Sequence, residues 1–153
     1  MTADLIAFLR ARLDEDEARA RALPPGPWTW RKGEAATTSP GDALVGADGQ
    51  PVLSASDPDE YMAWIIRADG FDAYLQQVQP ARVLAEVEAK RQIVGLHPVI
   101  GGWEDEDGHD RGLGCECCGH SEEYSDRGGW CETLRLLALS YADHPDYREE
   151  WRP

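Results

Sequence analysis

Four thiols, Cys115, Cys117, Cys118 and Cys131, stand within seventeen residues of a 153-residue chain that has no other cysteine, and His120 lies among them. Thiolate sulfur and imidazole nitrogen are the donors that Zn2+ prefers, and a structural site closes a tetrahedron with four of them. The Cys115-x-x-Cys118 spacing lets two sulfurs turn toward one ion while backbone amides of the knuckle point at them. Twelve residues separate Cys118 from Cys131, a usual length for the loop between ligand pairs. Gly119 permits the tight turn that the knuckle needs. Adjacent residues rarely both ligate one ion, which leaves Cys117 outside the expected set.

Three cysteines then need a fourth ligand. His97 is the expected one, because it ends a helix and an imidazole there can project beyond the last turn. The expected metal ligands are therefore His97, Cys115, Cys118 and Cys131. Two alternatives stay open. Cys117 would make a Cys-x-Cys arrangement, and His120 would need a strained bite from Cys118. The plainer reading is four ordinary reduced thiols on an acidic loop, and a disulfide is favoured only in an exported chain.

The donor set speaks against catalysis. A catalytic zinc keeps an open position and usually relies on His and carboxylate ligands, whereas three thiolates push charge onto the ion and weaken it as a Lewis acid. Neither H-E-x-x-H nor the H-x-E…P-C-x-x-C of zinc deaminases is present. His109, Glu104 and Asp105 could be cast as acid or base, yet acidic Gly-rich loops supply such residues routinely. No catalytic residue is assigned.

Charge narrows the partners. Fifteen basic residues against twenty-nine acidic ones give −14, and −8 of that falls between His97 and Glu132. Such a balance excludes direct binding of nucleic-acid phosphates and of an anionic membrane surface. Surplus carboxylates keep a protein dispersed. They also suit docking on another protein with a basic surface, and an acidic mimic of DNA is the sharper form of that reading. The N-terminus lacks the longer apolar run of a signal peptide, and no stretch approaches the roughly 20 apolar residues of a membrane span. A cytoplasmic protein is expected.

The elements that must position these residues read as one α+β domain. Residues 1–23 form an N-terminal helix with Leu5, Leu9 and Leu13 at helical spacing, widened by Ile6 and Phe8. Its "DEDE" run reads as a solvated face, and "PPGP" at 24–27 ends it. Residues 27–55 form a small antiparallel sheet. Its "WTW" opens on core aromatics Trp28 and Trp30, and Asp48-Gly49 suits a two-residue hairpin turn. Residues 57–97 are helical: Asp57, Pro58 and Glu60 signal one start, Gly70 a stop, and "FDAYLQQV" a short piece. Pro80 then begins a helix whose face is Val83, Leu84, Val87 and Val94. Residues 98–131 form an acidic loop stapled by zinc. Residues 131–153 form a C-terminal helix on Leu134, Leu137, Ala138 and Tyr141, with a tail that Tyr147 and Trp151 pin back.

"LIAFLRARLDEDEARA", "GPWTW", "PARVLAEVEAKRQIVGLH" and above all "TLRLLALSYADHPDYREEW" resemble a family of small proteins abundant in Streptomyces, related actinobacteria and their phages. That family is catalogued only as a domain of unknown function. The likeness covers most of the chain. It departs at residues 33–79, where "QVQPARVL" lacks the family's His-Asp, and at the extra Cys117. The resemblance makes Pro80 to His97 the central helix and Cys131 the cysteine before the last one. The expected role is accessory or regulatory, through interaction with another protein. A zinc-dependent hydrolase or nucleotide-handling enzyme is the remaining alternative.

Overall fold

The computed structural model describes residues 4–31, 43–53 and 70–153. The loop expected at 32–42 and the helix expected from 57 lie outside the described residues, apart from Gly70. The described elements confirm an α+β protein with helices and two small antiparallel sheets. None of its described helices is long and apolar enough to cross a membrane. Two compact units divide the chain, one of Met1–Glu15 with Val87–Pro153 and the other of Asp16–Glu86.

Helix α1 covers Leu5–Arg21 and α3 covers Pro80–Leu96; both run from one unit into the other. In the 16–86 unit, strands β1 (Thr29–Arg31), β2 (Ala43–Val45) and β3 (Pro51–Leu53) pair in that order, all antiparallel. Trp30 faces Leu44, and β2 is buried along its length. Trp28 is buried beside the sheet, its indole donating to the Pro24 carbonyl at 2.8 Å. It is a core residue, as its composition suggests.

The β2–β3 connection is longer than the two-residue turn expected at Asp48-Gly49. The chain closes through Gly46, whose amide donates to the Gln50 carbonyl at 2.9 Å, while Asp48 Oδ1 accepts from the Gln50 amide at 3.0 Å. Pro51 lacks the N–H that tighter pairing opposite Val45 would use, and the register shifts between Leu44 and Val45. Helix α2 (Phe71–Gln77) follows Gly70.

In the unit of residues 1–15 and 87–153, Leu5, Phe8, Leu9 and Leu13 of α1, Val87 and Val94 of α3, and Leu134 and Ala138 of α5 (Glu132–Leu139) are buried. The tail is pinned. Trp151, in a 3-10 turn at Glu149–Trp151, is 1% exposed, with its ring centre 4.8 Å from that of Phe8 and 6.2 Å from that of Trp130. Arg12 departs from a solvated helix face. It is buried with its guanidinium 5.2 Å from the centre of the Phe8 ring, and it reaches Glu15 Oε1 and His144 Nδ1, each at 2.7 Å. A long aliphatic stem can cover an aromatic ring while its charged head finds partners.

Candidate metal centre

Helix α3 stops where proline requires it. The residue before a proline is pushed toward extended backbone, so His97, ahead of Pro98, leaves the helix and is buried. The chain then forms strand β4 (Val99–Ile100), which pairs antiparallel with β5 (Gly114–Cys115), Val99 opposite Cys115 and Ile100 opposite Gly114. Continuing that register backward brings His97 alongside the turn that begins at Cys115. The Glu116 amide donates to the Pro98 carbonyl at 3.0 Å and holds the alignment.

The knuckle is built by backbone. The Gly119 amide donates to the Cys115 carbonyl at 2.8 Å, and the Cys115 amide returns a bond to the Gly119 carbonyl at 3.0 Å. Gly119 has φ +85°, a conformation that side chains strain. Gly114 is required for a different reason: a Cβ there would stand 2.7 Å from Trp103 Nε1 and 3.0 Å from the Gly119 carbonyl oxygen. Inside the turn the Cys118 amide donates to Cys115 Sγ at 3.4 Å. A short helix, α4 (Glu122–Asp126), capped by Ser121 Oγ on the Tyr124 amide at 3.1 Å, carries the chain onward. Cys131 is the residue that caps α5 at its N-terminus.

Three elements thus deliver four donors to one point. His97 Nδ1 lies 3.3 Å from Cys115 Sγ, 3.4 Å from Cys118 Sγ and 3.5 Å from Cys131 Sγ. All four ligand atoms fall within 4.8 Å of one another, and the group could hold a metal ion. His97, Cys115 and Cys131 are buried, and Cys118 is exposed. The cysteines are free thiols. Although Cys118 as a residue is open to solvent, partial desolvation of its sulfur among the other donors, with the neighbouring Cys131 and Cys115, pushes its thiol up to about 12. Burial also pushes Cys131 upward, opposed by the Leu134 amide. An ion entering here must therefore displace protons.

The remaining candidates lie elsewhere. Cys117 is exposed and outside the group. His120 is half-buried, with Nε2 2.8 Å from the Arg111 carbonyl oxygen and its ring 6.1 Å from that of Trp103. Glu104, Asp105 and His109 belong to the tip of the β4–β5 hairpin, where Glu104 bridges Asp110. Asp105, Asp107 and His109 form a second, fully exposed group. There the turn already uses Asp105, whose Oδ1 accepts from the Asp107 and His109 amides, each at 2.9 Å. The His109 amide is the main reason that the Asp105 carboxyl titrates below its ordinary range.

Two residues that shape the surroundings of the group were not foreseen. Trp103 braces the knuckle through Gly114, signalled only by a lone aromatic beside a Gly-Gly pair. Arg135, 3% exposed on α5, donates from Nη2 to Glu123 Oε1 at 2.9 Å, tying α4 to α5.

A family model matches residues 2–153, described as a family of unknown function, DUF6221. The chain belongs to this family. No curated protein and no solved structure matches it. The DUF6221 match takes in every residue of the His97–Cys131 group and, Met1 apart, both compact units.

Proposed function

We propose that this chain is a small acidic protein whose His97, Cys115, Cys118 and Cys131 hold a structural zinc, and that it works by binding another protein in an accessory or regulatory role. The observation that carries the zinc reading is the size of the four-donor group. With Zn–S near 2.3 Å and Zn–N near 2.0–2.1 Å, a tetrahedral site has N···S edges of about 3.6 Å. The three edges from His97 Nδ1, 3.3 to 3.5 Å, fall just inside that value.

A closed set of one imidazole and three thiolates leaves no position for a substrate, and it gives the ion too little positive charge to polarise one well. The ion would instead fasten the end of α3 and the start of α5 to the β4–β5 hairpin. Between them run residues 98–130, where exposed Glu104, Asp105, Glu106, Asp107 and Asp110 crowd the hairpin tip. Burial alone holds little of this segment, so metal binding would supply folding energy directly. The same carboxylates support a protein partner with a basic surface and disfavour phosphate backbones.

Elemental analysis of protein purified without chelator tests the first half, with about one zinc per chain expected. Well-folded, metal-free protein would overturn it. Affinity capture at low and high salt tests the second half: a bound protein released by salt supports it, and captured nucleic acid refutes it.

A further inference from the structure

The four donors are not equally sheltered, and that asymmetry assigns them a second chemistry. We propose that Cys118 is an oxidation site for hydrogen peroxide, and that its oxidation ends in a Cys115–Cys118 disulfide that discharges the metal. This inference rests on the zinc reading above.

Cys118 is the exposed member of the group, while His97, Cys115 and Cys131 are buried. A thiolate, not a thiol, attacks peroxide, and susceptibility follows thiolate character and access. On the zinc reading all three sulfurs would be held alike by the ion, so access separates them, and Cys118 is the one whose residue is open to solvent.

The knuckle points to Cys115 as the partner sulfur, because Cys131, also within 4.8 Å, comes from a separate element at the start of α5. Cys115 and Cys118 lie three residues apart inside the turn that the Gly119 amide closes on the Cys115 carbonyl, with Cys115 Sγ 3.4 Å from the Cys118 amide and within 4.8 Å of Cys118 Sγ. A disulfide spans Cα atoms roughly 4.4–6.8 Å apart, a separation within reach of two residues three apart in one tight turn. Cys117 is also exposed, but consecutive Cα atoms are only about 3.8 Å apart, shorter than that span. It is a poor competitor as a partner for Cys118.

The steps balance. The Cys118 thiolate attacks one peroxide oxygen, the O–O bond breaks, a Cys118 sulfenic acid forms, and hydroxide leaves. The Cys115 thiolate then attacks the Cys118 sulfur, the S–S bond forms, and the sulfenic oxygen leaves as a second hydroxide. Two sulfurs have given up two electrons, and the peroxide has become two waters after protonation by solvent. Zinc does not change oxidation state. A bound ion would keep only His97 and Cys131 of its four donors.

The experiment treats the full-length zinc-loaded protein with hydrogen peroxide. A chromogenic chelator reads released zinc, and peptide mass spectrometry maps the disulfide. Release of about one zinc per chain, in step with the Cys115–Cys118 disulfide and at an unchanged rate in Cys117→Ser, is the expected result. Reduction with dithiothreitol and added zinc should restore the starting state. Zinc retained while Cys117 is oxidised, a first disulfide at any other pair, or protection by Cys117→Ser would each overturn the proposal. Metal content measured before peroxide separates the two claims. Absence of metal at the outset defeats the zinc reading, whereas metal that survives peroxide defeats this inference alone.

Discussion

Replacing His97 with alanine should cost this protein both its metal affinity and much of its stability, and the structure sets the scale. The Nδ1 atom lies within 3.5 Å of three sulfurs, so no other described imidazole stands in its place. Losing one of four ligands should weaken zinc binding by at least about tenfold, or about 1.4 kcal/mol. The larger effect is on the chain. Residues 98–130 make a 33-residue excursion between His97 and Cys131. A crosslink closing a loop of that length stabilises by about 3.5–4 kcal/mol in the chain-entropy model, an upper bound for a metal clip. For a protein of this size each kcal/mol moves Tm by about 2–4 °C, so a lost clip means a drop on the order of 10 °C. The assays are competition with a chromogenic chelator and thermal unfolding with and without that chelator. Wild type and His97→Ala should differ widely with zinc and nearly converge without it. His120→Ala removes the bond to the Arg111 carbonyl and should cost about 1 kcal/mol with metal affinity unchanged. Cys117→Ser should change neither. If His120→Ala or Cys117→Ser released zinc and His97→Ala did not, the ligand assignment would be wrong.

Trp151→Ala should destabilise by about 3–5 kcal/mol, because the ring is 1% exposed against Phe8 and Trp130; a denaturation midpoint equal to wild type would mean that the tail is not pinned. Glu123→Gln should cost about 1–3 kcal/mol by leaving the buried Arg135 guanidinium without its charged partner, whereas Arg135→Met should be close to neutral; equal losses in both would refute that asymmetry. Asp105 has its folded pKa lowered, so its contribution is present above the unfolded value of about 3.9 and lost as pH falls through the lower folded value. Amide exchange at His109 should accordingly quicken in strong acid in wild type, and Asp105→Ala should be fast at every pH. A wild-type His109 amide indifferent to acid would contradict this.

Helices α1, α3 and α5 were legible because their apolar residues repeat with the period of a helix, whereas α4, inside the expected loop and with no buried residue, was not. Leu5, Leu9 and Leu13 on α1, Val87 and Val94 on α3, and Leu134 and Ala138 on α5 are the buried residues that the periodicity marks. The candidate group was legible from spacing and chemistry: a Cys-x-x-Cys, a cysteine at a helix start and a histidine ahead of a proline lie together in space and could hold a metal ion. The β4–β5 hairpin was not legible. Its strands are two residues each, held by backbone pairing that leaves no alternation of side chains to read. Buried Arg12 and Arg135 were missed for a related reason. A charge on a helix reads as solvated until a distant partner, His144 for one and Glu123 for the other, comes within reach.

X-ray absorption at the zinc edge of the purified, unchelated protein tests the central claim most directly, because it counts the donors by element and distance. The account predicts a four-coordinate shell of three sulfurs near 2.3 Å and one nitrogen near 2.0 Å. A shell of four sulfurs would bring Cys117 into the site in place of His97. A shell dominated by oxygen and nitrogen, or the absence of a zinc edge from folded protein, would contradict the account.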